Sequence, residues 1–309
     1  MGKTAFVFPG QGSQSVGMAK EWFETYPDEL KSLKDAVIKV FGEKIFKLMW
    51  EGPEAELGIT TNTQPALFIA SAAASVLVKS KNIRPDYVAG HSLGEYSAIF
   101  FADGYDFETG LRIVQKRSQL MEKAMPAGTG SMAAVLGLPT DKIIAVCKKI
   151  SGLVEIANYN NDAQIIISGE KKAVLAAVEA LKAAGAKRVM ELNVSGPFHS
   201  SLMKPAADEF GKILASFLIS NARIQLITNV TAKEEISASD IKMNLVKQLY
   251  SPVLWIQTIK YLLDKNVDTF VELGSGKVLT GLIKRINGDA KLFNIEKPQD
   301  LSTINWLLK

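Results

Sequence analysis

The sequence predicts an α/β protein in which a three-layer core with a mostly parallel sheet carries a smaller, inserted domain. The chain has 309 residues, which exceeds the usual size of one compact domain. Short apolar runs alternate with helical patterns in its first and last parts, as in parallel sheets that helices cover on both faces. A middle segment has a different order, β-α-β-β-α-β, which is typical of a ferredoxin-like unit.

Short apolar segments that end in turns predict the strands of the large domain. They cover residues 4–8, 87–90, 224–227, 269–273 and 291–295. Segments with helical spacing of their apolar residues lie between these strands. They include residues 93–101, 107–125 and 241–263, and a stretch in 195–217 whose helix starts at or after His199. Because strands and helices alternate, we expect the strands to run parallel and the helices to form the two outer layers.

The small domain begins where Pro126, Gly128 and Gly130 interrupt the helical pattern. Its predicted strands cover residues 131–138, 154–157, 164–168 and 187–192. Its predicted helices cover residues 141–150 and 171–184. We therefore assign residues 1–126 and 196–309 to the large α/β domain and residues 127–195 to the ferredoxin-like domain.

Charge and composition exclude several classes of protein. The net charge of +4, with acidic and basic residues interspersed, is too small for a nucleic-acid-binding surface. The longest apolar-rich run, residues 66–78, is far shorter than the roughly 20 residues that span a bilayer, so we expect no membrane segment. Cys147 is the single cysteine, and the N-terminal residues show no signal-peptide pattern, so we expect a cytoplasmic protein.

The most informative motif is G-x-S-x-G, formed by Gly90, Ser92 and Gly94. It falls between a predicted strand and a predicted helix. In that context the motif makes a sharp turn that lifts the serine hydroxyl clear of the sheet, and the new helix directs N–H groups toward it. Ser92 is therefore the candidate nucleophile.

A serine hydroxyl needs a base within hydrogen-bonding distance, and histidine is the usual one. Of the two histidines, His91 is adjacent to Ser92, and neighbours on a tight turn usually point apart, so we expect it to pack against the turn. His199 follows a Gly-Pro pair in a loop and is the candidate base. No motif marks an acid that would orient it. A triad acid, backbone carbonyls and an amide such as Gln248 all stay open as the orienting group.

Two backbone N–H groups are candidates for an oxyanion hole. One belongs to Leu93, the residue after the nucleophile, and the other to Gln11, in the loop after the first strand. A merely structural turn is the alternative for the second. The same loop lacks the third glycine of a dinucleotide-binding fingerprint, so we reject that interpretation.

Arg117 interrupts the apolar stripe of the predicted helix 107–125. A guanidinium that points inward needs a carboxylate or a comparable acceptor, because an unpaired buried charge costs several kcal/mol. The acceptor is either a structural ion-pair partner or an acidic substrate, and a side chain that snorkels to the surface is a further alternative.

Taken together, six segments resemble the malonyl-CoA:acyl carrier protein transacylases and the acyltransferase domains of polyketide and animal fatty acid synthases. They occur in the family's order and span nearly the whole chain. The segments are FVFPGQGSQ (6–14), GHSLGEYSA (90–98), QKRSQLM (115–121), SGPFHSSLM (195–203), QLYSPVLW (248–255) and ELGSGKVLTGL (272–282).

The resemblance implies a role for each candidate residue. It implies that Ser92 is the nucleophile and His199 its base, and that the backbone amides of Gln11 and Leu93 form the oxyanion hole. It also implies that Arg117 pairs with the free carboxylate of the malonyl group. The resemblance also implies that Gln248 helps to hold His199. It implies that Phe198, the residue before this histidine, favours malonyl over methylmalonyl substrates.

The resemblance further implies a hydrolase-like core, malonyl-CoA and acyl carrier protein as partners, and a ping-pong transfer through a malonyl-serine ester. We expect a monomer that needs no metal or redox cofactor. Two alternatives remain. One is a serine esterase or thioesterase with the same Ser-His pair, and the other is a noncatalytic scaffold that binds the carrier protein through basic residues such as Lys187, Arg188, Lys284 and Arg285.

Overall fold

The strands form two separate sheets in the computed structural model, which describes residues 2–126 and 128–307. The strands are β1 (Lys3–Phe8), β2 (Tyr87–Gly90), β3 (Gly130–Leu136), β4 (Val154–Asn161), β5 (Gln164–Glu170), β6 (Arg188–Glu191), β7 (Gln225–Ile227), β8 (Glu234–Glu235), β9 (Val267–Leu273) and β10 (Lys291–Ile295). The larger sheet has the order β10-β9-β1-β2-β7-β8. Its neighbouring strands are parallel except for β7 and β8. The predicted mostly parallel sheet is confirmed, and β8 is a short strand that the sequence analysis missed.

Helices connect these strands. The α-helices are α1 (Lys20–Thr25), α2 (Lys31–Phe41), α3 (Lys44–Glu51), α4 (Glu54–Leu57), α5 (Thr60–Ser80), α6 (Leu93–Phe101), α7 (Phe107–Lys123), α8 (Thr140–Cys147), α9 (Lys171–Ala183), α10 (Lys204–Ala215), α11 (Ala238–Gln248), α12 (Trp255–Asp264) and α13 (Val278–Ile286), and 3-10 turns cover Ser201–Met203 and Pro298–Leu307. His199 lies in a loop as predicted, since its φ is 59° and the helical turns begin only after it, at Ser201. Within the described residues, no helix combines the length and the apolar character needed to cross a membrane.

The alternation of side chains along β1 produces the three layers. Phe6 and Phe8 pack into the large apolar core that includes residues of α5 and α6. Ala5 and Val7 point to the opposite face and join a second cluster with residues of α12 and α13, such as Trp255. A strand that is buried on both faces is what a parallel sheet between two helical layers requires.

The smaller sheet has the order β4-β5-β3-β6 with antiparallel neighbours. With α8 and α9 it has the predicted β-α-β-β-α-β order, and the ferredoxin-like arrangement is confirmed. Its own core is separate and contains the side chain of Cys147. The borders of the two domains stay a prediction, and their limits at residues 1, 127 and 309 lie outside the described residues.

Candidate active site

Ser92 lies in a sharp turn between the end of β2 and the start of α6. Its backbone has a φ of 51° and a ψ of −105°, a strained conformation for a residue with a side chain. The flanking glycines are required by close approaches. A Cβ on Gly90 would collide with the backbone of Gly94, and a Cβ on Gly94 would collide with the carbonyl oxygen of Phe8. The glycines of the motif therefore let α6 begin directly against the sheet.

The hydroxyl of Ser92 contacts the imidazole of His199 across 107 positions of sequence. Their Oγ and Nε2 atoms lie 2.7 Å apart. The other ring nitrogen, Nδ1, lies 2.8 Å from the backbone carbonyl oxygen of Gln248, which accepts its hydrogen. This bond assigns the tautomer in which Nε2 is free to accept the serine proton. Burial, and after it the positive charge of Arg117, lower the pKa of His199 to about 3, so the imidazole is neutral at physiological pH.

Gln248 contributes its carbonyl and its side chain to two different tasks. The carbonyl oxygen orients His199, whereas the side-chain amide points toward the nucleophile turn. The amide Nε2 donates to the backbone oxygen of Ser92 at 2.9 Å and to the carboxylate of Glu95 at 2.7 Å. Its Oε1 accepts from Arg117 at 3.0 Å. The sequence left a triad acid, a backbone carbonyl and a side-chain amide open as the group that orients His199. In the structure, the group at Nδ1 is a backbone carbonyl.

Arg117 is completely buried, and its guanidinium faces the nucleophile. Nη2 donates to Ser92 Oγ at 3.1 Å as well as to Gln248, and Nη1 donates to Gln64 Oε1 at 2.7 Å. Among the residues that the structure describes, no carboxylate lies within ion-pair distance of it, and its Nε has no hydrogen-bond partner. Burial lowers its pKa below the ordinary value. The buried positive charge beside the serine is therefore held by uncharged groups, namely two side-chain amides, the hydroxyl of Ser92 and the ring of Tyr96, whose centroid lies 5.0 Å away.

Sequence reasoning missed two residues that hold the turn. Asn229 Oδ1 accepts from the backbone N–H of Ser92 at 2.7 Å, and Asn229 Nδ2 donates to the carbonyl of Gly90 at 2.6 Å. The carboxylate of Glu95, in the first turn of α6, accepts from the backbone N–H of Asn229 at 3.1 Å. Burial raises the pKa of Glu95 to about 7. The position of Asn229 could have indicated its role, because it lies just beyond the carboxyl end of β7, at the same sheet edge as the serine.

The two candidate oxyanion amides belong to residues that line the same cavity as Ser92. Leu93 is the first residue of α6, where a backbone N–H has no partner within the helix. Within the described part of the chain, neither this N–H nor that of Gln11 donates a hydrogen bond. The loop of Gln11 packs against the turn, because a Cβ on Gly10 would collide with the carbonyl oxygen of His91.

The cavity has a volume of about 620 Å³ and lies between the two sheets. Ser92, His199 and Arg117 line it from the large domain, and Met132 and Ile166 line it from the small sheet. The predicted selectivity residue Phe198 is buried and lines it as well.

Of the remaining residues that the sequence analysis named, His91 and Arg285 also line the cavity. His91 packs beside the turn as expected, where its Nε2 lies 2.9 Å from Asn160 Oδ1 of the small sheet. The basic residues of the scaffold hypothesis are divided between two elements. Lys187 and Arg188 lie at β6, whereas Lys284 and Arg285 lie on α13.

Comparison with known proteins identifies the family. The sequence profile of the acyl transferase domain matches residues 5–289. A malonyl CoA-acyl carrier protein transacylase of Staphylococcus aureus strain MW2 is 47% identical over 99% of both chains. The crystal structure of an acyl carrier protein S-malonyltransferase from Vibrio cholerae superimposes with a TM-score of 0.94 at 40% identity, over 98% of this chain and 100% of that one. A malonyl-transacylase solved in complex with its type II PKS acyl carrier protein gives a TM-score of 0.93 at 40% identity, over 97% and 98% of the two chains. The protein therefore belongs to the acyl transferase domain family.

Proposed function

We propose that this enzyme transfers the malonyl group of malonyl-CoA to the phosphopantetheine thiol of acyl carrier protein, for fatty acid synthesis. The names of its relatives support the substrate and the carrier. The observation that carries the chemistry is the position of Ser92 Oγ, which lies 2.7 Å from a neutral histidine and 3.1 Å from a buried arginine. The proposed base and the proposed anion-binding group therefore both lie within hydrogen-bonding distance of the nucleophilic oxygen.

In the first half-reaction, Ser92 Oγ attacks the thioester carbonyl carbon while its proton passes to Nε2 of His199. The backbone amides of Leu93 and Gln11 stabilise the oxyanion, and one such donor is typically worth about a hundredfold in rate. The carbonyl of Gln248 stabilises the imidazolium through Nδ1. When the tetrahedral intermediate collapses, the carbon–sulfur bond breaks and coenzyme A leaves with the proton held by His199. The product is a malonyl ester of Ser92.

In the second half-reaction, the carrier thiol gives its proton to Nε2 of His199, and its sulfur attacks the ester carbonyl. The same amides hold the second oxyanion. The carbon–oxygen bond to Ser92 then breaks, and the serine recovers its proton from the imidazolium. The neutral form of His199 is restored, so one base serves both steps.

Arg117 binds the free carboxylate of the malonyl group throughout. A guanidinium can grip a carboxylate with two parallel hydrogen bonds, which a lysine cannot do. The protein supplies no carboxylate partner among its described residues, so the substrate provides the missing countercharge. Phe198, beside the base, narrows the cavity where an α-methyl group would lie.

The direct test is covalent labelling of Ser92. After mixing with malonyl-CoA and no carrier protein, intact mass should show one malonyl group on the wild-type enzyme and none on Ser92→Ala. Ser97→Ala is the matched control, because Ser97 is a buried serine of α6, the helix that follows Ser92, and its hydroxyl has no partner among the described residues. It should be labelled like the wild type. Labelling of Ser92→Ala would refute the assigned nucleophile.

The molecule that accepts the malonyl group distinguishes the proposed transferase from a thioesterase and from a noncatalytic scaffold. With carrier protein present, the malonyl group should move from Ser92 to the carrier thiol, and free malonate should form only slowly. Rapid release of malonate without carrier would instead indicate a thioesterase. Binding of carrier protein by an enzyme that never forms the serine ester would indicate a scaffold.

We further propose that the enzyme acts as a cytoplasmic monomer without a metal or redox cofactor. The support is that the nucleophile, the base, both amides and the arginine all come from one chain. Each chemical step above is balanced by proton transfer between these groups and the two thiols.

A further inference from the structure

The small sheet contacts the chain segment that carries the base. Glu155, on β4, accepts two hydrogen bonds with its carboxylate from Ser201. The backbone N–H of Ser201 lies 2.7 Å from Oε2, and its hydroxyl lies 3.1 Å from Oε1. Ser201 follows His199 by two positions and begins a 3-10 turn. A carboxylate at the first N–H of a helical turn is stabilising, and bonds to a charged acceptor are stronger than neutral ones.

The backbone at His199 needs such support. Its φ of 59° lies in the left-handed region, which is unfavourable for a residue with a side chain and persists only where the surroundings hold it. Two hydrogen bonds hold His199 and its immediate neighbours, since His199 N donates to Leu249 O at 3.2 Å and Ser200 Oγ donates to Pro197 O at 2.6 Å. The bonds of Glu155 hold the side that follows.

Strand β4 is itself fixed to the large domain, so it offers a firm position for the carboxylate. Tyr159 N donates to Val253 O at 2.9 Å, and Val253 N donates to Ala157 O at 2.8 Å. Val253 lies shortly after Gln248, whose carbonyl accepts the Nδ1 hydrogen of His199. One strand of the small sheet therefore contacts both segments that hold the imidazole, namely the segment that carries it and the segment that accepts its hydrogen.

We propose that Glu155 is a positioning residue for His199, an inference that rests on the malonyl transfer proposed above. Its carboxylate holds the backbone after the base, so that Nε2 stays aligned with the hydroxyl of Ser92. Glu155 lies outside the lining of the cavity, so it acts through the histidine and not on the substrate. Small misplacements of reacting groups cost large factors in rate, even when the displaced contact is remote from the chemistry.

The test measures the single-turnover rate of malonyl-Ser92 formation by quenched intact-mass analysis, without carrier protein. Glu155→Ala should react about tenfold more slowly, with an unchanged half-saturating concentration of malonyl-CoA. Glu155→Gln should recover most of the rate, because an amide oxygen still accepts from the N–H of Ser201. Glu170→Ala is the matched control, since the carboxylate of Glu170 accepts from Leu153 N at 3.3 Å within the small domain. It should react like the wild type.

Three results would overturn the inference: a wild-type rate for Glu155→Ala, a loss that comes only from weaker binding of malonyl-CoA, or an equal loss in Glu170→Ala. If Glu155→Ala does not fold, Ser201→Ala removes only the hydroxyl bond. It should slow the same step about threefold, and a wild-type rate would again overturn the inference. Absence of the adduct in the wild-type enzyme would instead refute the proposed function itself, so the two failures can be told apart.

Discussion

Nη2 of Arg117 lies 3.1 Å from Oγ of Ser92, so the proposed anion-binding group and the proposed nucleophile are direct neighbours. This short distance suits a malonyl thioester, in which a single carbon separates the reacting carbonyl from the free carboxylate. A longer diacid anchored at the same guanidinium would place its thioester carbonyl beyond the serine. If Arg117 binds the free carboxylate as proposed, we expect this distance to limit the length of the acyl group as well as its charge.

Replacing Arg117 with Ala should reduce malonyl transfer about a hundredfold or more, because the substrate carboxylate would lose the guanidinium that lies beside Ser92. Acetyl transfer, which involves no such carboxylate, should change far less. The measurement is kcat/KM for malonyl-CoA and for acetyl-CoA. Arg112→Ala is the control, since Arg112 lies on the same helix but pairs with Glu108 at the surface. Equal losses for both substrates would contradict the role of Arg117.

The pH profile of malonyl-Ser92 formation should lack an acid limb near pH 6.5. Because the pKa of His199 is lowered to about 3, the base is neutral above that pH and becomes protonated only as the pH falls through it. The rate of malonyl-Ser92 formation should therefore stay constant as the pH falls from 7 to 5. Arg117 contributes to this lowering, so in Arg117→Ala the acid limb should move to higher pH. If the rate of the wild-type enzyme fell near pH 6.5, the ordinary pKa of histidine, the assignment of His199 as the buried base would be contradicted.

Gly94→Ala should destabilise the protein and abolish most of its activity. Its new methyl group would collide with the carbonyl oxygen of Phe8, and α6 would have to move away from the sheet. Overpacking of this kind costs about 1–3 kcal/mol. Urea unfolding measures the loss. Gly288→Ala is the control, because among the described residues, apart from its two chain neighbours, no heavy atom lies within 4 Å of a Cβ at that position. Similar stabilities for the two variants would show that the turn tolerates a side chain.

Phe198→Ser should shift selectivity toward methylmalonyl-CoA by about tenfold, since one methyl group is worth about 1–3 kcal/mol in a pocket. Phe198 is buried and lines the cavity, so its removal makes room for the branched substrate. Competition between the two thioesters measures the ratio. Phe198→Leu, which keeps an apolar side chain of intermediate size, should shift it less. An unchanged ratio in the serine variant would exclude Phe198 as the selectivity residue.

Local patterns were sufficient for the fold class and for the nucleophile turn. The limits of β2 and α6 agree with the predicted segments 87–90 and 93–101, because a short apolar run and a glycine-flanked turn are both read from neighbouring residues. The family followed from six motifs in order, and the comparisons confirm it. The assignment of individual site residues stays a prediction that the variants above test.

Contacts between distant segments could not be read in the same way. Asn229 and Glu95 hold the turn through bonds that cross more than a hundred positions. Asn229 lies in none of the six segments, and Glu95 lies in segment 90–98, where nothing indicates a partner so distant in sequence. The sequence pointed to the amide of Gln248 as one candidate for orienting the histidine, whereas its backbone carbonyl occupies that position. Every residue has a carbonyl, so an acceptor of this kind leaves no trace in composition or spacing.

The burial of Cys147 has a consequence for an enzyme that handles two thiols in each cycle. Its side chain lies in the core of the small sheet, and burial raises its pKa to about 11, so it stays protonated and out of reach. Thiol-disulfide exchange requires a thiolate, which this side chain does not offer to coenzyme A or to the carrier. Maleimide could therefore quench the carrier thiol in a running assay and leave the enzyme unalkylated.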